Sequence, residues 1–88
     1  MAIEFDPEKD RLNRAKHGLS LKDAERFDWN KAVVVEDRSE DYGEQRFQAL
    51  GFIGLSLCMA VFTLRGDKVR MISLRRATRA EWKKWRPE

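Results

Sequence analysis

Short apolar stretches alternate with long charged ones along the chain, and each change of period marks a predicted element. The opening "AIEF" fits a short first strand. Asp6 then stands as an N-cap with Pro7 at the first helical position, where its missing N–H costs nothing. The helix begun there runs to about His17 and closes at Gly18, a residue free to take the left-handed conformation. In "PEKDRLNRAKH" only Leu12 and Ala15 are apolar, so most of this helix is solvated. Ser20 lies three residues before Asp23, a capping-box spacing, and Leu21, Ala24 and Phe27 fall on one face of a short second helix. The β-branched "AVVVED" suits a strand.

Beyond the polar turn "RSEDYG" come three runs, roughly Glu44 to Phe52, Leu57 to Arg65 and Lys68 to Arg75, separated by "IGLS" and "GD". The tight Gly66-Asp67 link predicts a hairpin, and the three runs together an antiparallel meander. Strict alternation puts Val69, Met71, Ser73 and Arg75 on one side of the last strand and Arg70, Ile72, Leu74 and Arg76 on the other, so the two adjacent arginines diverge. Thr78 to Glu81 reads "TRAE", a capping box for a third helix that carries Trp82 and Trp85 on one face and ends at Pro87. The expected fold class is α+β: a small antiparallel sheet with two N-terminal helices and a C-terminal helix, in one domain over residues 1–88.

Composition narrows the function. A chain of 88 residues, 42% hydrophobic and 38% charged, has material for one core and too much apolar content to stay disordered. Its net charge of +3 hides an asymmetry: residues 1–44 hold 8 Lys and Arg against 12 Asp and Glu, whereas residues 45–88 hold 10 against 3. A basic half of +7 points to a polyanion partner on one face. The apolar run from Leu57 to Leu64 is far shorter than the about 20 residues that cross a bilayer, and "MAIEFDPEKD" lacks the basic and then apolar start of a secretory signal. A cytoplasmic protein without a membrane partner is expected. Cys58 stands alone in an apolar run, which fits a buried thiol, and with His17 as the sole histidine there is no set of metal ligands and no sign of a cofactor.

Several side chains could carry chemistry, each with a plainer alternative. Arg75 and Arg76 sit where a strand meets a helix start, a place that gathers phosphate-binding donors, yet arginines there also guard sheet edges against aggregation. His17 could cap the end of its helix as a cation or move a proton near neutral pH. Glu44 and Arg46, two apart on a strand, share a face as a carboxylate and guanidinium of one site or as a surface ion pair, and Arg65 is equally ambiguous. The two tryptophans fit core or interface packing better than base stacking. With no Gly-rich phosphate loop and no nucleophilic Ser or Cys beside a base, catalysis would rest on Arg, Lys, His and Glu. That set suits metal-free cleavage of RNA, whose own 2′-hydroxyl is the nucleophile. The alternative is a non-enzymatic module that binds nucleic acid or protein through its basic sheet face.

Four marks in order, the strand-Asp-Pro start at Phe5 to Pro7, Lys-His-Gly at Lys16 to Gly18, Gly-Glu-x-Arg at Gly43 to Arg46, and Ile-Ser-x-Arg-Arg-Ala at Ile72 to Ala77, resemble the BrnT family of bacterial ribonuclease toxins across nearly the whole chain. One departure is "FDWNKAV", where members often carry Asp-Pro after the Phe. The resemblance implies a fold similar to RelE-type toxins and an RNA-cleaving activity that halts growth. It further implies neutralisation by a BrnA-type antitoxin with a ribbon-helix-helix domain, as a heterotetramer that meets operator DNA only through the antitoxin. By the same matching, His17, Glu44, Arg46, Arg65, Arg75 and Arg76 fall on the active surface.

Overall fold

The computed structural model describes residues 2–85. Its elements are β1 (Ala2–Phe5), α1 (Pro7–His17), 3₁₀ helices at Leu21–Arg26 and Trp29–Lys31, β2 (Val33–Asp37), β3 (Arg46–Ile53), β4 (Ser56–Arg65), β5 (Lys68–Arg76) and α2 (Arg79–Lys84). The local signals act as read. The Asp6 carboxylate accepts from the Glu8 N–H at 3.0 Å, and Gly18, at φ 73°, returns its N–H to the Arg14 carbonyl. Ser20 with Asp23, and Thr78 with Glu81, each close a reciprocal capping box. The predicted second helix is a 3₁₀ segment, whose three-residue repeat buries Leu21 and Ala24 on one side. The expected end of the last helix at Pro87 lies outside the described residues.

The sheet runs β1-β5-β4-β3-β2. Strands β3 to β5 form the predicted antiparallel meander, with Arg65 opposite Lys68 across the two-residue turn, and β2 adds to it antiparallel beside β3. The sheet is mixed rather than purely antiparallel, however, since β1 pairs parallel with β5, Ile3 opposite Val69 and Phe5 opposite Met71. A four-residue strand has no pattern that declares its partner or direction; the parallel pairing is set by the long return of the chain through α1 and the meander.

Alternation along β5 is broken once. Phe62 lies opposite Met71 but Val61 lies opposite Ser73, so Ile72 is an extra residue in a β-bulge. The expected grouping of Met71 with Ser73 therefore fails. Leu74 joins Val69 and Met71 in the core, while Ser73 and Arg75 turn to the other face. The bulge sits where β1 stops pairing, and α1 takes over the vacated edge: the Asn13 amide donates to the Leu74 carbonyl at 2.8 Å and its Oδ1 accepts the Leu74 N–H at 3.0 Å.

One sheet face carries the main core. Leu21 and Ala24 of the first 3₁₀ segment and Phe27, its C-cap, cover Ala49, Ile53, Cys58, Ala60, Phe62, Val69, Met71 and Leu74. Trp29 packs edge-on between Phe27 and Phe62 and donates its indole N–H to the Ala24 carbonyl. Gly51 makes room for this cap, since a Cβ there would stand 2.8 Å from Phe27 Cζ and 3.1 Å from Ala32 Cβ. The opposite face is covered at one end only, where Trp82 of α2 and Trp85, its C-cap, pack on Phe52 beside Leu50, Leu57 and Met59. The rest of that face is open. No helix among the described residues is long and apolar enough to cross a membrane.

Candidate active surface

Directly paired residues of a sheet share a face, so register alone lays out the open side. Across it, Glu4 stands opposite Arg70, Arg70 opposite Thr63, and Asp37 opposite Arg46. The next row is Ser73, Val61, Gln48 and Val35, and the one nearest α2 is Arg75, Met59, Leu50 and Val33. Three arginines thus project from one face. Arg76 does not: it pairs with Cys58, on the core side, and is exposed at the sheet's margin. The divergence of the two arginines holds, and the bulge decides that Arg75 is the one on the open face.

Arg75 is held by α2. Its Nη1 and Nη2 donate to the two Glu81 carboxylate oxygens, both at 2.8 Å, and Nη1 also reaches the Arg76 carbonyl at 3.2 Å. Two other carboxylates, Glu36 and Glu44, are engaged with Arg38 and Arg65. Glu81 serves twice, because the same carboxylate accepts the Thr78 N–H at 2.8 Å and so caps the helix. The end-on fork of the guanidinium being occupied, its Nε–H and second Nη2 hydrogen are left for an incoming oxyanion.

At the other end of the face, Arg46 lies with its guanidinium carbon 4.0 Å from the centre of the Tyr42 ring, and its buried Nε has no hydrogen-bond partner among the described residues. The ring is fixed by its hydroxyl, which meets Ser39 Oγ at 3.0 Å and Asp37 at 3.4 Å. Glu44 precedes β3 instead of lying in it, and its ion pair is with Arg65 at 3.7 Å, not with Arg46. Arg70, unread as a site residue from the sequence, is bound to Glu4 at 2.6 Å. The bulge hid it, since strict alternation had put it on the far side from Arg75.

His17 ends α1 at the margin of this face, in a groove that also contains Ile72 and Ser73. A helix C-terminus favours the imidazolium. Here burial, the neighbouring Lys16 ammonium and the Arg75 guanidinium outweigh that dipole and hold the imidazole below its ordinary 6.5. His17 is therefore neutral at pH 7, with a ring nitrogen able to accept a proton. Among the described residues no three His, Cys, Asp or Glu side chains come together as metal ligands.

Residues 5–81 match the family model described as the ribonuclease toxin BrnT of type II toxin-antitoxin systems. The chain belongs to the BrnT family. The 1.1 Å crystal structure of the Brucella abortus ribonuclease toxin BrnT is similar at 31% sequence identity, with a TM-score of 0.72, covering 90% of this chain and 99% of that one. No curated protein matches the sequence. The BrnT match runs from Phe5 to Glu81, so it includes every residue of the open face named above except Glu4, together with the carboxylate that holds Arg75. Of the positions that the BrnT motifs indicated, Glu44, Arg46, Arg65 and Arg75 lie on or beside the open face, His17 at its margin and Arg76 behind it.

The Arg75 fork and the Thr78 backbone hold the Glu81 carboxyl down to about 2, from an ordinary 4.5. A depressed carboxylate stabilises the folded state above its unfolded value, and that contribution fades as the pH falls from about 4.5 to about 2. Glu81→Gln should accordingly melt below the parent at pH 7 and approach it near pH 2. Thermal midpoints of both proteins across this range check the result; a constant gap at every pH would place the loss in helix capping alone.

Proposed function

We propose that this BrnT-family chain is a metal-independent endoribonuclease toxin, with a RelE-type arrangement of the site, restrained by a BrnA-type ribbon-helix-helix antitoxin. The observation that carries the reading is the open sheet face, which presents Arg46, Arg70 and Arg75 together beside a histidine neutral at pH 7. In-line attack needs a proton acceptor at the 2′-hydroxyl and donors aimed at the phosphorus oxygens. His17 takes the 2′-hydroxyl proton as the O2′–P bond forms. The free edge of the Arg75 guanidinium receives the charge that builds on the phosphorane, and the P–O5′ bond breaks as the leaving oxygen takes a proton from water, the His17 imidazolium returning its own proton to the hydroxide so formed. The products are a 2′,3′-cyclic phosphate and a 5′-hydroxyl end. Arg46, stacked on Tyr42, and the Glu44–Arg65 pair bound the strand at the hairpin end of the face.

The antitoxin reading is supported by the far edge of the sheet. Val33, Val34 and Val35 of the edge strand β2 are each about half exposed, a surface that soluble proteins ordinarily cover. A BrnA-type partner covering this edge forms the heterotetramer, in which operator DNA is met through the antitoxin alone.

Incubating the purified protein with RNA in excess EDTA tests the reading. Cleavage should persist without free metal, leave a cyclic phosphate, and stop at any position whose 2′-hydroxyl is replaced by hydrogen. RNA bound but uncut under every condition would make the protein a binding module.

A further inference from the structure

Helix α1 lacks the apolar stripe that normally holds a helix to its sheet. Its groove-side positions recur at the expected spacing, Lys9, Leu12, Asn13, Lys16 and His17, yet of these only Asn13 is buried and two are exposed lysines. With Ile72 and Ser73 of β5 these residues line a groove along the sheet edge. The pairing of charges on the helix is uneven. Arg11 is bonded to Glu8 at 2.6 Å, and Arg14 to Asp10 at 3.3 Å. Asp10 is further committed to Ser20 and the Leu21 N–H, and Asp6 to the helix cap. Among the described residues Lys9 and Lys16, the cations lining the groove, form no ion pair. The carboxylate of the neighbouring strand, Glu4, is taken by Arg70. The helix neutralises its outer arginines and leaves its groove-side lysines unmatched, next to a third cation, Arg75, near enough to act on His17.

Like charges gathered without counter-charge cost free energy in the free protein and are relieved by an anion. We infer that the groove between α1 and β5 is a subsite for the RNA backbone, in which Lys9 and Lys16 hold phosphates flanking the scissile one. The inference rests on the ribonuclease reading and extends its contact surface beyond the sheet. Two features favour RNA over an acidic peptide. Ser73 belongs both to the groove and to the open-face row with Val61 and Gln48, so a strand lying across Arg75 continues into the groove without a break. Seven residues of helix separate the lysines by about 10 Å, too far to share one phosphate but suited to two on one strand. Flexible ammonium groups hold backbone charge without reading bases, so the subsite adds affinity and register, not sequence preference.

Lys9→Ala, Lys16→Ala and the double variant are to be compared with Lys22→Ala, which lies outside the groove. Steady-state cleavage of a short RNA is measured between 50 and 300 mM salt, about the range where counterion release is resolved. Each groove lysine removed should raise KM by roughly 3- to 10-fold, with the larger part of the loss in KM and not in kcat, and lower the slope of log KM against log salt by about 0.7. Lys9→Arg should restore the slope. Affinity for a strand carrying 2′-deoxy substitution at every position gives the subsite its own readout, so that it can fail or hold whether or not the parent protein cleaves. Variants that keep the parental KM, affinity and salt slope overturn the inference, as does a loss confined to affinity for the antitoxin.

Discussion

Arg75→Lys should cleave RNA at least about 100-fold more slowly than the parent, whereas Arg76→Lys should cleave nearly as the parent does. The two residues are adjacent in sequence and identical in charge, so only their placement separates them. Arg75 stands on the open face with its end-on fork fixed by Glu81 at 2.8 Å on both oxygens. A lysine there retains the charge but has one nitrogen, which cannot both hold the Glu81 carboxylate and present a preorganised pair of donors to a phosphorane. Losing one such donor costs on the order of 3 kcal/mol in the barrier. Arg76 sits opposite Cys58 on the other side of the sheet, where it has no approach to a strand bound across Arg75. The fold should survive both changes, at a cost of about 1 kcal/mol for the lost fork of Arg75. Cleavage rates, RNA affinity and thermal midpoints on the two variants check this. Full activity in Arg75→Lys would remove the guanidinium fork from the mechanism, and equal losses in both variants would return the effect to simple charge.

Asn13→Ala should destabilise the protein more than any other single change on α1, by about 3 kcal/mol or more. Asn13 is the buried residue of that helix and its amide nitrogen donates at 2.8 Å to both the Leu19 and Leu74 carbonyls. Its oxygen receives the Leu74 N–H at 3.0 Å. Alanine leaves a backbone donor and two acceptors without partners in a place water reaches poorly, and each orphaned group costs about 1–3 kcal/mol. Asn13→Asp is the informative companion: it keeps the acceptor for Leu74 but sets a carboxylate against two carbonyl oxygens, so it should be no more stable than alanine. Denaturant unfolding of the three proteins measures both differences. A loss below about 0.5 kcal/mol in Asn13→Ala would mean that α1 is held by something other than this side chain. Because His17 rides on the same helix, activity should fall together with the docked fraction of α1.

The parts of this fold that were legible in the sequence are those fixed within three or four residues. Asp6 with Pro7, Ser20 with Asp23 and Thr78 with Glu81 name their own helix starts, and Gly66-Asp67 names its hairpin, because the partners are close neighbours along the chain. What escaped was settled between residues far apart. The parallel pairing of β1 with β5 depends on a contact across more than sixty residues, and "AIEF" carries no mark of it. The bulge at Ile72 depends on where β1 ends and Asn13 begins, so alternation counted along β5 alone assigned Leu74 and Arg70 to the wrong faces. For the site, the motifs picked out Arg46 and Arg75 but not what they touch. Glu81 was read as a capping residue and its second acceptor role was missed, since a helix cap reaching back to the preceding strand is a tertiary event. Tyr42 under Arg46 was equally silent within a polar turn.

The bulge at Ile72 also acts as a parity bit. Everything after it on β5, Ser73, Leu74, Arg75 and Arg76, takes its side of the sheet from whether one residue is counted or skipped. No charge, arginine or capping residue need change for that answer to change: it is enough that Ile72 pair regularly with Val61 instead of being skipped. In that register Arg75 shares the core side with Met71 and Leu74 is expelled. The protein's chemistry is thus written partly in spacing, and a change invisible to composition or motif content can erase it.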